Sequence, residues 1–343
     1  TDQDFRLVFN LMLGRLNASH MGIYGSSEED LQRQSTGKLG IEVKPAKNGV
    51  EVTRVVPRSP ATRVKSALEV GDIITEVNGV EIGSQNFYAL LEDATEEPVL
   101  LNVQGAEVNR ELVIRPTSSL NEELYEEWVA ERQRLTEKYS NGKLGYIHIK
   151  SMNKPSFERF ERELMASGHN KEGIVIDVRF NGGGWTTDYL MAVLTVRQHA
   201  YTVPRGAAKN LSKEHPNFAS YYPYSERLPL AGWTRPSVAL CNESSYSNAE
   251  IFSHAYKSLN IGTLVGQPTF GAVISTGGMR LLDGSLVRLP FRGWYVKETG
   301  QNMENGPAVP DLLVENAPIS KASGEDPQLK AAVETLLKQL NAK

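Results

Sequence analysis

The sequence predicts a multidomain protein of mixed α+β and α/β class, with a small β-rich domain set ahead of a larger α/β core. Two observations carry this reading. Residues 37–117 hold short alternating runs broken by turn signals, among them Val50-Glu-Val-Thr-Arg-Val-Val56 and the hairpin dipeptide Asn78-Gly79. From Lys143 onward, continuous apolar runs such as Gly173-Ile-Val-Ile-Asp-Val-Arg179 and Pro236-Ser-Val-Ala-Leu-Cys241 alternate with amphipathic helical stretches. Strands covered on both faces read this way. A chain of 343 residues has room for such an arrangement, at roughly 100–200 residues per domain.

The elements follow in order. Phe5, Val8, Phe9, Met12, Leu13 and Leu16 recur at helical steps, so residues 1–24 read as a helix and a turn. A chain that starts at Thr1, inside a helix, is expected to be cut from something longer. Residues 25–36 are polar and acidic and read as a connector. Within 37–117 the strands are Gly37–Val43, Val50–Val56, Val99–Val103 and Val108–Arg115, with a Val70–Val80 segment that turns at Asn78-Gly79 and short helices near Val64–Ala67 and Asn86–Asp93. The core is expected over 118–343. It opens with a helix at 119–138, capped by Ser119 and Glu122 and lined by Leu124, Trp128 and Leu135. A strand at 144–149 and a helix at Ser156–Ala166 with Phe157, Phe160 and Leu164 on one side come next. A helix at Thr187–Val196, a helix from Ser247 to Ser258, a strand at Gly262–Gly266 and a terminal helix at Asp326–Leu340 complete the core.

Composition excludes several function classes. Net charge is −4, without the basic excess of a nucleic-acid-binding protein. No apolar run approaches the ~20 residues of a membrane span. Cys241 is the only cysteine, which leaves no internal disulfide and no cysteine-rich zinc site, and favours a cytoplasmic over an oxidising compartment. The six His residues show no HExxH or paired spacing, so neither a metal nor another cofactor is expected.

Two turns carry chemistry. The strand ending at Cys241 runs through Asn242-Glu-Ser-Ser-Tyr-Ser247 into a helix, and a Ser at a strand–turn–helix junction is exposed where helix N–H groups favour developing negative charge. A Ser there can equally be a plain N-cap. The strand ending at Arg179 runs into Asn181-Gly182-Gly183-Gly184, whose backbone N–H groups can converge on an oxyanion. The same turn could cradle a phosphate, but the Lys-Ser/Thr pair that normally follows is missing.

Three segments of the small domain, Lys38-Leu39-Gly40-Ile41-Glu42, Ser59-Pro60-Ala61 and Gly71–Gly79, resemble the permuted PDZ domains of bacterial and archaeal proteases. The resemblance implies a peptide groove at Leu39, Gly40 and Ile41, with the Asn86–Asp93 helix as its opposite wall. A groove kept only as scaffolding is the alternative.

The strand with Arg179-Phe-Asn-Gly-Gly-Gly184, the Asn242–Phe252 segment and Gly266-Gln-Pro-Thr-Phe-Gly-Ala-Val-Ile-Ser275 resemble the tail-specific, or C-terminal-processing, serine peptidase family. That family has a crotonase-like, ClpP-like α/β core. One subgroup uses a Ser–Lys pair, but the lysine position here is Ala272, and neither Lys257 nor Lys297 sits in the expected motif. The tricorn subgroup instead takes a His from before the PDZ domain, and Ser19-His20 stands there. The resemblance to that subgroup implies Ser247 as nucleophile, His20 as base, Ser19 and Glu304 as its supports, and an oxyanion hole from Gly182 or Gly183 with Asn248. It implies substrate pairing along Gly271, Ala272, Val273 and Ile274, peptides or unfolded chains as substrates, and a homo-oligomer. The subgroup has an Asp directly after its nucleophile, where this chain has Asn248. Its acidic specificity residue would fall in Tyr201–Leu230, whose acids are Glu214 and Glu226. The rival readings are a PDZ-bearing scaffold without catalysis and a Ser–Lys processing enzyme.

Overall fold

The structure, a computed structural model, describes residues 1–25, 35–83, 86–197, 203, 205–218 and 232–342. Contacts divide the chain into two compact units, one of Thr1–Ser27 with Arg132–Lys343 and one of Glu28–Glu131. Most of the expected connector at 25–36, and Glu226, lie outside the described residues.

The first unit begins with α1 (Asp2–Gly14), started by a reciprocal cap between Thr1 and Asp4. Leu13 is buried, whereas Phe5, Val8, Met12 and Leu16 are exposed, so the apolar period forms the helix without burying most of it. Asn10 ties α1 to β1 (Gly22–Tyr24): its Oδ1 accepts from Ile23 N–H at 2.8 Å and its Nδ2 donates to Ile23 O at 3.1 Å. The turn between α1 and β1, which carries Ser19 and His20, is thereby held at both ends.

The second unit is a six-stranded antiparallel sheet built from β2 (Ile41–Ala46), β3 (Gly49–Val55), β4 (Ile73–Val77), β5 (Val80–Glu81), β6 (Val99–Gln104) and β7 (Asn109–Ile114). The order is β2-β3-β4-β6-β7, and β5 pairs with β4. Leu39, Val52, Ile74, Leu101 and Ile114 are among the residues of its core. The two helices expected here are single 3₁₀ turns instead, at Pro60–Thr62 and Ala89–Leu91. The first stops because Arg63 is extended, and Val64 beyond it is almost fully exposed. The second stops because Leu91 O accepts from Gly37 N–H at 2.8 Å and Asp93 turns to φ 54°.

The division between the units falls inside α2 (Asn121–Ser140). This helix starts two residues later than expected, and Ser119 Oγ accepts from Asn121 N–H at 3.2 Å. The core then alternates: β8 (Leu144–His148), α3 (Lys154–Ser167), β9 (Gly173–Asp177), α4 (Thr187–Leu194), the short α5 (Leu211–Glu214), β10 (Ser237–Cys241), α6 (Asn248–Ser258) and β11 (Thr263–Gly266). β12 (Ile274–Arg280) and β13 (Leu286–Gly293) form a hairpin, and β14 (Leu312–Leu313), α7 (Pro318–Ala322) and α8 (Pro327–Asn341) end the chain.

Strands β14-β11-β10-β9-β8 make a parallel five-stranded sheet, and β1-β13-β12 a separate antiparallel one. Every residue of β8, β9 and β10 is buried, which is why these strands read as continuous apolar runs. Phe160 and Leu164 of α3 and Phe252 and Tyr256 of α6 belong to that core. Because β9 and β10 are parallel neighbours, with Asp177 beside Leu240, the turns that follow them emerge at the same sheet edge.

A buried ionic cluster fixes that edge. Arg179, 1% exposed, donates from Nε and Nη2 to Asp177 and from both Nη atoms to Asp326, the N-cap of α8. Burial raises the Asp326 carboxyl, but the Arg179 guanidinium more than offsets this and holds it at about 2.

Candidate active site

Ser247 stands between the turn after β10 and the first residue of α6, with φ 57° and ψ −118°. A non-glycine residue in this region costs of order 1–3 kcal/mol and persists only where its surroundings impose it. Here they do. Tyr246 N–H donates to Asn181 O at 2.9 Å, and Ser247 N–H to Glu250 Oε1 at 3.0 Å. Glu250 is fully buried and also accepts from Thr269 Oγ1, Gly271 N–H and Ala272 N–H. One carboxylate therefore joins the serine's backbone to the segment 269–272.

The turn after β9 comes alongside. A Cβ on Gly183, which has φ 91°, would lie 2.7 Å from Ser247 Cβ and 2.9 Å from Asn248 N, so this position admits only glycine. Gly182 has open space at the same point. Of the two glycines, Gly183 is the one that meets the serine turn. Its N–H donates to Asn181 Oδ1 at 2.9 Å. Asn248 N–H, at the open first turn of α6, has no intramolecular acceptor among the described residues. Asn248 Oδ1 accepts from Thr187 N–H and Oγ1, which ties α6 to α4.

His20 reaches this junction from 227 residues away, with Nε2 3.0 Å from Ser247 Oγ. It too has positive φ, 60°. Its Nδ1 is 2.8 Å from Ser19 Oγ, which donates to Glu304 Oε2 at 2.9 Å, while Ser19 N–H donates to Glu304 Oε1 at 2.6 Å. The four residues thus form one hydrogen-bonded line from Glu304 to Ser247. With the Ser19 hydroxyl proton on Glu304, Nδ1 is the protonated nitrogen and Nε2 offers its lone pair to Ser247. Burial lowers the His20 pKa, Arg288 lowers it further and Glu304 opposes both.

Some expected residues lie elsewhere. Gly271 and Ala272 give their N–H groups to Glu250, and Gly271 O accepts from Asn305 N–H at 2.8 Å. Ala272 and Val273 are buried. The stretch therefore becomes open for strand pairing only from Ile274, where edge strand β12 begins. Lys257 is bound to Asp311 at 3.0 Å, away from the serine. Glu214 accepts from Asn210 N–H at 2.7 Å in its own turn. Cys241 is no rival nucleophile: it is buried, and burial pushes its thiol up.

Sequence reasoning missed Tyr246, Glu250, Asn181 and Arg288. Glu250 carried a signal, since Ser247-x-x-Glu250 has capping-box spacing and its carboxylate accepts from Ser247 N–H, whereas nothing marked Tyr246 beyond its place beside Ser247.

In the second unit, Leu39, Gly40 and Ile41 line a concavity of about 310 Å³ together with Phe87, Tyr88 and Leu91. The opposite wall is the 3₁₀ turn rather than a helix. The N–H groups of Leu39 and Gly40 carry no intramolecular bond among the described residues, and Gly40 has φ 88°. No group of three His, Cys, Asp or Glu side chains among the described residues is placed to hold a metal. No helix among them is long and apolar enough to cross a membrane.

The chain is similar to known proteins along most of its length. It is 25% identical to the tricorn protease of Thermoplasma volcanium over 99% of this chain and 32% of that protein. It is 31% identical to tricorn protease homolog 1 of Streptomyces coelicolor, over 95% of this chain and 30% of the homolog. Against a crystal structure of the tricorn protease it superposes with a TM-score of 0.81 at 26% identity, over 96% of this chain and 32% of that one. The chain thus spans about a third of the length of these relatives. Residues 28–103 match the PDZ domain family, and residues 143–314 match peptidase family S41. With a tricorn-like fold and half of its length matched, the chain belongs to peptidase family S41.

Proposed function

We propose that this chain is the catalytic portion of a tricorn-type serine endopeptidase that hydrolyses peptides or unfolded polypeptides. The observation that carries the reading is the line Glu304–Ser19–His20–Ser247, in which the imidazole stands 3.0 Å from a serine hydroxyl and is backed on its other nitrogen. Ser247 Oγ attacks the scissile carbonyl as its proton passes to His20 Nε2. Ser19 and Glu304 stabilise the imidazolium that forms, which then protonates the leaving amine. The oxyanion takes Asn248 N–H and Gly183 N–H, the second shared with Asn181 Oδ1. Water bound in place of the amine repeats the sequence on the acyl-enzyme. The substrate lies along the edge of β12 from Ile274.

Labelling with a fluorophosphonate probe tests this. The wild type is expected to label, and Ser247→Ala and His20→Ala are not. Labelling that survives His20→Ala overturns the base assignment.

For the second unit we propose capture of a peptide terminus, on the two unbonded N–H groups beside its apolar concavity. Titration with peptides ending in an apolar residue tests it, and equal affinity for the C-terminal amide counts against it.

A further inference from the structure

Tyr246 precedes Ser247, and its side chain turns back over His20. The two rings are stacked, with centroids 4.8 Å apart and planes at 27°. The tyrosine hydroxyl is 3.2 Å from His20 Nδ1, on the same nitrogen that Ser19 faces. Nothing in the serine–histidine–serine–glutamate line requires this contact.

The tyrosine is itself held firmly. Its N–H is fixed on Asn181 O, Phe270 meets its ring edge-on at 5.1 Å, and Phe270 N–H donates to Ser245 O at 3.1 Å. One turn therefore presents both the serine hydroxyl and the ring that covers the histidine.

The geometry points to Tyr246 as a positioning residue for His20, one that keeps the Nδ1–H tautomer and the ring orientation needed for Nε2 to face Ser247. This rests on the serine–histidine reading above and deepens it. Two parts of the side chain contribute. The hydroxyl oxygen is a second acceptor for Nδ1–H, so the proton stays on that nitrogen even when Ser19 Oγ shifts. The ring face lies against the imidazole, blocks its rotation away from Ser247 and favours the cation formed in the reaction.

The test measures the limiting labelling rate and the apparent Ki of a fluorophosphonate probe on the full chain. Tyr246→Phe keeps the stacked ring and loses the hydroxyl. It is expected to lower the limiting rate about five- to twenty-fold, as one lost hydrogen bond does, with Ki changed less than about twofold. Tyr246→Leu is expected to fall about a further tenfold, most of which Phe restores. In a cycle with Ser19→Ala, the two hydroxyl losses are expected not to multiply, because both act on one nitrogen.

A Tyr246→Phe rate equal to that of the wild type, or losses that multiply with Ser19→Ala, overturns the inference and leaves the serine–histidine reading intact. A wild type that never labels, or His20→Ala labelling at the wild-type rate, overturns both.

Discussion

In the proposed reaction His20 acts as base in its neutral form, and its surroundings favour that form. Burial comes first, then the positive charge of Arg288, which donates to Thr276 Oγ1 at 2.7 Å and lies opposite Gly22 in the β1–β13 pair. Glu304 pulls the other way. The acid limb of the pH–rate profile should therefore fall below the ordinary histidine value. Arg288→Gln removes a charge that disfavours imidazolium, so its limb should move to higher pH, as pH-dependent labelling rates would show. Glu304→Gln removes the carboxylate behind Ser19 and should lower the rate about tenfold to a hundredfold with little change in melting midpoint. The four residues of this line were legible because each sat in a short motif at the right place in the order. Tyr246 and Arg288 were not, because their contacts come from a strained turn and a strand register that no spacing encodes.

Among the elements, the buried parallel strands read most clearly, since residues such as Ile174 to Ile176 must be apolar on both faces. The short helices of the second unit read worst: one carbonyl bond, Leu91 to Gly37, outweighs helix propensity over a few residues. Helix α8 shows how an element far from Ser247 bears on it. Its N-cap Asp326 neutralises Arg179, whose carbonyl accepts from His148 Nε2 at 2.8 Å and whose chain continues into the glycine turn. Asp326→Ala leaves a buried guanidinium short of a partner and should cost about 3–5 kcal/mol, measured by urea unfolding. The folded carboxyl, at about 2, lies below its unfolded value. Its contribution is complete above roughly pH 4 and lost as pH falls through about 2, so Asp326→Asn should show a shallower decline in stability over that window.

On the scale of the whole molecule, His20 and Ser247 lie on opposite sides of the second unit in sequence, yet Thr1–Ser27 belongs with Arg132–Lys343. Among the described residues, the parallel sheet contains none of the first 27, whereas β1 pairs with β13. Deletion of residues 1–27 should therefore abolish labelling while far-UV circular dichroism keeps the signature of the α/β core. Alternation and apolar runs disclosed the six-stranded and the parallel sheets but not the β1-β13-β12 sheet, and the order of motifs disclosed which distant pieces belong together. The burial of α1 was not disclosed, because a helical period specifies an apolar face without specifying what it meets.

Ser247 and His20, the two groups that exchange a proton in the proposed reaction, both stand in the left-handed backbone region, at φ 57° and 60°. Both positions therefore carry backbone strain that a glycine would not. A glycine at either would relieve of order 1 kcal/mol of backbone strain. Ser247→Gly should accordingly match or exceed Ser247→Ala in melting temperature although both are inert. That ordering would mark the turn as conformational energy held in reserve for chemistry.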